Sequence, residues 1–333
     1  MTAADTLLQV RDLKVHFPVG GGLFKTKGAV KAVDGVSFDV KRGSTFGIVG
    51  ESGSGKSTTA LAVMRLVKIT AGQVQLGGVP IGSLEGEALR KERRRFQMVF
   101  QDPYASLNPR KRAGDAILDA LNLMDVGEPA GRAAQAQQLF VQTGLKAEQM
   151  QLFPHQFSGG QRQRIVLARA LAAKPELVVC DEPVSALDVA IQAQMLNLMM
   201  QLQRDFGLTY LFISHDLGVV RHLCNEVAVM YLGRIVEQAG RDALFAQPLH
   251  PYTRALWSAA PSFDPGARSR GQRIRLQGDP PSPLNVPPGC RFAGRCPFAQ
   301  DVCRASEPEL REVVPGHRVA CHRVGDAGEL HYG

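Results

Sequence analysis

The chain has 333 residues, 21% charged and 44% hydrophobic, and 39 Lys and Arg against 31 Asp and Glu give a formal charge of +8. That apolar content excludes a wholly disordered chain, and 34 glycines and 20 prolines without a Gly-X-Y period exclude a fibrous one. No unbroken apolar run approaches the roughly 18 residues needed to span a bilayer, and Met1-Thr2-Ala3-Ala4-Asp5 lacks the basic and apolar regions of a secretory leader, so the expectation is a cytosolic protein.

Leu7 to Phe17, Val33 to Val40 and Gln73 to Leu76 read as strands, with Gly20-Gly21-Gly22 marking a loop. Ser44 to Val49 is a compact apolar run typical of a buried strand. A glycine-rich turn follows, then a helical pattern from about Lys56 to Val67. The run Arg90-Lys91-Glu92-Arg93-Arg94-Arg95 carries no interleaved aromatics, so it offers no stacking platform for single-stranded nucleic acid; a solvated cationic surface is the plainer reading. From about Asp102 to Ala173 the pattern is helical, punctuated by Pro103, Pro109, Pro129 and Pro154. Leu177 to Cys180 and Thr209 to Ile213 read as buried parallel strands separated by a helix, and this alternation predicts an α/β layered fold. After about Gln247 the texture changes: Pro261, Pro265, Pro280, Pro281, Pro283, Pro287 and Pro288 disfavour helix through much of the segment, and a boundary is placed near residues 246–250. No internal repeat and no heptad series is present.

Two motifs carry chemistry. Gly50-Glu51-Ser52-Gly53-Ser54-Gly55-Lys56-Ser57 fits G-x-x-x-x-G-K-[ST], follows a strand and opens a helix that continues through Thr58. Its glycines let backbone N–H groups turn inward around phosphate oxygens, and the helix N-terminus adds positive potential. Lys56 has the reach for β- and γ-phosphates, and the Ser57 hydroxyl suits Mg²⁺. The strand Leu177 to Cys180 then delivers two carboxylates at its end, Asp181 suited to the Mg²⁺ shell and Glu182 placed to polarise an attacking water.

Phe157-Ser158-Gly159-Gly160-Gln161-Arg162-Gln163-Arg164 resembles the signature sequence of ABC-type ATPases, with Phe157 in place of the usual leucine. Gln101 matches the family's Q-loop, Ser185-Ala186-Leu187-Asp188 its D-loop and His215 its H-loop, in the right order over about residues 7–240. The resemblance implies a P-loop ATPase core with an antiparallel β subdomain and a helical insertion at about 102–172, within a domain spanning 1–245. It implies that Phe17 stacks on adenine (Phe24 lies nearby), that Gln101 contacts Mg²⁺ or the attacking water, and that His215 bonds the γ-phosphate. Ser158, Gly159, Gly160 and Gln161 would face the ATP of a second subunit, with Asp188 beside them.

Gln101 to Pro109, and His250-Pro251-Tyr252-Thr253-Arg254-Ala255-Leu256, further resemble the peptide and nickel importer ATPases, specifically the F-type subunits of dipeptide and oligopeptide importers. The resemblance implies an irregular C-terminal extension over 246–333 and a peripheral location on the cytoplasmic face of a bacterial inner membrane. It implies a heterodimer with a homologous D-type ATPase, two membrane permease subunits, and delivery by an extracytoplasmic peptide-binding protein. Related importers carry nickel, haem, glutathione or other small solutes. The rival class is a soluble ABC protein acting on nucleic acid or ribosomes, disfavoured here because the chain has one phosphate loop and no coiled coil.

Of six cysteines, Cys180 and Cys224 stand alone in apolar surroundings and read as reduced core thiols. Cys290, Cys296, Cys303 and Cys321, spaced C-x5-C-x6-C-x17-C, point in a cytosolic chain to a metal site. Four thiolates hold zinc or an iron–sulfur cluster, with His317 and His322 as further zinc candidates; unligated structural thiols are the alternative. The intervals are wider than a C-x2-C knuckle, and the family resemblance favours [4Fe–4S].

Overall fold

The computed structural model describes residues 5–20, 28–259, 274, 276 and 278–330. Gly21, Gly22, Phe24, Pro261 and Pro265 lie outside the described residues. In chain order the elements are β1 (Thr6–Val19), β2 (Gly28–Lys41), β3 (Thr45–Val49), α1 (Lys56–Val63), β4 (Ala71–Leu76), α2 (Gly86–Glu92) and β5 (Phe96–Val99). Next come α3 (Pro103–Ser106), α4 (Ala113–Leu123), α5 (Arg132–Gln142), α6 (Gly159–Ala172), β6 (Leu177–Asp181), α7 (Val189–Phe206), β7 (Thr209–Ser214) and α8 (Leu217–Leu223). The chain continues through β8 (Glu226–Tyr231), β9 (Arg234–Gly240), α9 (Arg241–Ala246), α10 (Pro251–Ala259), α11 (Asp301–Ala305), β10 (Arg311–Val314) and β11 (His317–Val319). No described helix is long and apolar enough to cross a membrane.

The chain forms two compact units. One comprises residues 1–7, 40–44 and 76–212. Its strands run in the order β7, β6, β5, with β5 and β6 parallel from Phe96 opposite Leu177 to Val99 opposite Cys180. Leu177, Val178, Val179 and Cys180 are wholly buried, which explains the unbroken apolar sequence of β6. The helices α3 to α6 fill the stretch read as helical. Ile117 and Leu121 of α4, Phe140 of α5 and Ile165 to Ala168 of α6 form their shared core, each large side chain contributing roughly 1.5–3 kcal/mol by burial. The basic run is largely spent internally: Arg95 pairs with Glu92 and Glu176, Arg42 also reaches Glu176, and Arg94 donates to the Ala173 carbonyl.

The other unit comprises residues 8–39, 45–75 and 213–333. It holds the three-stranded sheet β2–β1–β4 and the strand series β10–β11–β9–β8–β3. β3 is buried at all five positions and runs parallel to β8. β8 and β9 form an antiparallel hairpin, and β11 adds to β9 with His317 opposite Ala239. The prolyl C-terminal segment is therefore not uniformly irregular: α10 and α11 form within it, and β10 and β11 extend the series of β9. Helix α1 ends at Val63 rather than near Val67, because Arg65 turns into the left-handed region at φ 53°.

Candidate nucleotide-binding site

The phosphate loop lies in the second unit, between β3 and α1. Gly50 and Gly55 adopt φ of 154° and 104°, and a Cβ on either would sit 2.2 Å from the carbonyl of Met230 or Ala32. No side chain is tolerated there without moving main chain. Gly53, at φ 78°, borders open space. The loop is tied down by Gly233 N–H donating to the Ser54 carbonyl at 2.8 Å, while the buried Ser54 hydroxyl has no partner among the described residues. Gly55 caps α1 without a side-chain hydrogen bond. An uncapped helix start, an orphaned hydroxyl and open space at Gly53 together fit an anionic ligand that supplies oxygen acceptors. Lys56 is buried, its Nζ donating at 2.9 Å to the carbonyls of both Gly50 and Glu51. Ser57 is exposed beside it, and Ser52 and Gly53 are exposed at the loop tip.

Glu51 is held from two directions. Its main-chain N–H donates to Tyr252 Oη at 2.8 Å, and its carboxylate accepts two bonds from Arg295 at 2.8 and 3.2 Å. Tyr252 belongs to α10 and Arg295 to the cysteine-bearing segment. Neither contact was visible in the sequence, where Tyr252 stood only in a His-Pro-Tyr resemblance and Arg295 only between two cysteines. Also in this unit, Phe17 is 42% exposed near the end of β1, open enough to receive a planar ligand. His215 is exposed just after β7, ahead of Asp216, which caps α8 through Gly218 and Val219.

The remaining motifs belong to the first unit. Asp181 ends β6, and Glu182 follows with φ 49°, a left-handed conformation that costs a non-glycine residue on the order of 1 kcal/mol. Ser185 Oγ donates to the Glu182 carbonyl at 3.0 Å and accepts from Gln101 Nε2 at 3.3 Å, so Gln101 is fastened to the turn that carries Glu182. Ser158 caps α6: its Oγ accepts from Gln161 N–H, and Gln161 Oε1 accepts from Ser158 N–H, a reciprocal capping box. A Cβ at Gly160 would meet Ile191 Cγ2 at 2.5 Å, whereas Gly159 has ordinary clearance. Asp188 occupies the N-cap position of α7. Gln101, Ser158, Gly159, Gly160 and Asp188 border one cavity of about 600 Å³.

Among the described residues, no group of three or more His, Cys, Asp or Glu side chains is arranged to hold a metal ion. The four C-terminal thiols nonetheless act on one another electrostatically. Burial pushes Cys290 up to about 12 and Cys321 up to about 11, and each of these thiols is raised further by Cys296 and Cys303. Backbone N–H groups of Phe292, Phe298 and Arg323 bond Cys290, Cys296 and Cys321, opposing that rise, and Cys290 N–H donates to the Cys303 carbonyl at 2.7 Å. His317 is not a free ligand, since its Nε2 bonds Glu237 at 2.8 Å, and His322 Nε2 bonds the Ser306 carbonyl at 3.0 Å. Cys180 and Cys224 are buried and joined in no disulfide, and burial raises the Cys224 thiol strongly.

Comparison with known proteins gives the family. The ABC transporter family profile matches residues 33–185, and the profile for the oligopeptide/dipeptide transporter C-terminal region matches residues 236–303. The chain is 52% identical to the oligopeptide transport ATP-binding protein AppF of Bacillus subtilis (strain 168), over 97% of this chain and 99% of that protein. It is 48% identical to the di/tripeptide transport ATP-binding protein DppF of Pseudomonas aeruginosa (strain UCBPP-PA14), over 96% and 98%. Among solved structures, the ATP-binding cassette MJ0796, a dimer in a post-hydrolysis state bound to ADP and Pi, superposes with a TM-score of 0.62 at 26% identity, covering 71% of this chain and 99% of that one. CbiO1 of Clostridium perfringens, part of the transporter complex cbiONQ, gives 0.63 at 25% identity, over 73% and 91%. The chain belongs to the ABC transporter ATP-binding proteins, in the branch that carries the oligopeptide/dipeptide transporter C-terminal region.

Proposed function

We propose that the chain is the ATP-hydrolysing subunit of an importer of dipeptides or oligopeptides, working peripherally on the cytoplasmic face of a bacterial cell membrane. The observation that carries this is full-length identity near 50% to proteins named for peptide transport, spanning the phosphate loop and the C-terminal region alike. In this reading Lys56 leaves the carbonyls of Gly50 and Glu51 and takes β- and γ-phosphate oxygens, exchanging neutral acceptors for anionic ones. With the Glu51 N–H held by Tyr252, the N–H groups from Ser52 to Thr58 cradle the phosphates, and Phe17 stacks on the adenine. The Ser57 hydroxyl and the Asp181 carboxylate are hard oxygen donors suited to Mg²⁺, and Gln101 takes Mg²⁺ or the attacking water. Mg²⁺, when bound, neutralises charge on the β- and γ-phosphoryl oxygens.

Glu182 orients the attacking water, and its strained turn fixes the carboxylate without further reorganisation. His215 bonds the γ-phosphate. Ser158, Gly159, Gly160 and Gln161, with Asp188, face the nucleotide of a homologous D-type ATPase. Closure of that heterodimer moves two permease subunits fed by an extracytoplasmic peptide-binding protein. ATP drives closure only by binding the closed pair better than the open one. Loss of labelled-dipeptide uptake in a deletion strain supports the reading. Retained peptide uptake with lost nickel, haem or glutathione uptake reassigns the cargo, and co-purification with ribosomes or nucleic acid refutes transport altogether.

The thiol quartet is assigned to a [4Fe–4S] cluster at Cys290, Cys296, Cys303 and Cys321. Four neighbouring thiols are a soft donor set, and three of them accept backbone N–H bonds that favour the thiolate. A prolyl segment with little core of its own gains a staple from such ligation. Iron and sulfide analysis of anaerobically purified protein tests this: stoichiometric zinc reassigns the metal, and metal-free protein removes it.

A further inference from the structure

The contacts at Glu51 reach beyond nucleotide binding itself. Glu51 is the second residue of the phosphate loop, and its negative charge stands where a triphosphate must approach. Two residues from the C-terminal segment manage it. Arg295, with a side chain 9% exposed, covers the carboxylate with two hydrogen bonds at 2.8 and 3.2 Å. Tyr252, wholly buried, accepts the Glu51 N–H at 2.8 Å. Both anchors are rigid. The Tyr252 ring packs with Tyr231 and Phe292 at centroid distances of 4.7 and 5.5 Å, and Tyr231 meets Phe292 edge-on at 5.3 Å. Phe292 and Arg295 lie on one tight turn between Cys290 and Cys296, closed by Ala293 N–H to the Cys290 carbonyl at 3.0 Å and Arg295 N–H to the Phe292 carbonyl at 2.9 Å.

We propose that Arg295 and Tyr252 are positioning residues for the phosphate loop, acting through Glu51, so that the cysteine-bearing turn and the bound nucleotide are energetically coupled. This rests on the loop binding ATP, as proposed above. Arg295 removes a carboxylate charge that would otherwise repel the triphosphate, and Tyr252 fixes the main chain at the loop's second residue. Coupling of this kind is reciprocal: whatever orders the turn favours nucleotide, and nucleotide orders the turn by the same factor.

The test uses the full-length chain, with Mg-ATP affinity measured by calorimetry. Arg295→Gln leaves a bare carboxylate beside the phosphates and is expected to weaken Mg-ATP about tenfold. Glu51→Gln in the same chain removes that carboxylate and restores affinity to within about threefold of wild type, a rescue that a merely structural arginine would not show. Arg295→Lys keeps the charge but gives up the two-pronged contact, and binds Mg-ATP more tightly than Arg295→Gln. Hydrogen exchange gives a second readout: residues 290–296 slow their exchange on adding Mg-ATP in the wild type and not in Arg295→Gln. Wild-type affinity in Arg295→Gln, or a double variant no better than that single one, overturns the inference while leaving the ATP reading intact. A wild-type chain that binds no Mg-ATP overturns both. If Arg295→Gln does not fold, Glu51→Gln and Arg295→Lys still decide: nucleotide-induced protection at 290–296 that persists unchanged in Glu51→Gln overturns the coupling.

Discussion

The most quantitative expectation concerns acid and His250. Its imidazole is entirely buried, and burial pushes its pKa down to about 4, although Glu237 and a bond to the Ala320 carbonyl pull the other way. The ring is neutral in the fold, because Nδ1 accepts the Tyr252 N–H at 3.0 Å and protonation there would set donor against donor. A histidine whose folded pKa is depressed contributes stability that is present above the unfolded value of 6.5 and lost as pH falls toward 4. Proton linkage between those two values gives a loss of about 2 kcal/mol from pH 7 to pH 5 and about 3 kcal/mol by pH 4. The assay is urea unfolding of the full-length chain at pH 7, 6 and 5, beside His250→Asn, whose amide oxygen replaces the Nδ1 acceptor. The variant costs roughly 1–3 kcal/mol at pH 7 through lost packing and the lost bond to Ala320. Its stability falls with pH by about one proton less than wild type over this range. Parallel pH dependences in the two proteins would refute the argument that His250 is a buried neutral anchor of α10.

Two further outcomes follow from particular geometries. Gly55→Ala must displace the Ala32 carbonyl, whereas Gly53→Ala meets open space and bears only the penalty of a positive φ. Nucleotide affinity measured by calorimetry therefore falls more than tenfold at Gly55 and far less at Gly53, where the strain is about 1 kcal/mol. Equal losses would contradict the steric reasoning. At Asp34, burial alone would raise the carboxyl, but hydrogen bonds from Arg291 and His16 overcome it and hold the pKa at about 2. A depressed acid stabilises the fold above its unfolded value of 3.8 and loses that contribution as pH falls toward 2. Asp34→Asn costs about 2 kcal/mol in urea unfolding at pH 7, and a variant as stable as wild type would show that Arg291 gains nothing from this partner.

The nucleotide loop was legible because its chemistry is local. Glycines at fixed spacing, a lysine and a hydroxyl point to one purpose when a buried strand precedes them and a helix follows, and β3 and α1 stand in that order. β6 was equally plain from four consecutive apolar residues. The β8–β9 hairpin was not read as strands, for two physical reasons. Its two-residue turn is Leu232-Gly233 with φ of 43° and 79°, and leucine is not a residue expected at a positive φ. Its second strand carries Glu237, a charge that breaks the apolar pattern yet is fully buried. That charge is met by N–H groups of Leu249 and His250 at 2.6 and 2.9 Å and by His317, partners that no window of sequence around Glu237 contains.

The C-terminal segment was read from its prolines, and much of it is turn and coil. What the prolines hide is how it is held. Arg291 reaches Asp34 at 2.6 Å across 257 positions, and Arg295 reaches Glu51 across 244. β11 joins β9 at an edge where three residues suffice, because Glu237 already anchors His317 there. Periodicity reports which face of an element is buried, but it cannot report a single ion pair between distant segments. The extension therefore looked like an appendage to the nucleotide loop, whereas Tyr252 and Arg295 grip that loop directly.

In the proposed cycle Lys56 and its loop hold ATP while Glu182 activates the water that cleaves it. That cycle is tested most directly by measuring Mg-ATP binding and phosphate release side by side for wild type, Lys56→Ala and Glu182→Gln, each assembled with its membrane partners. Glu182→Gln is expected to bind Mg-ATP as tightly as wild type yet release phosphate at least about 100-fold more slowly, and Lys56→Ala to lose binding itself. Undiminished phosphate release from the Glu182→Gln assembly would contradict the proposed cycle.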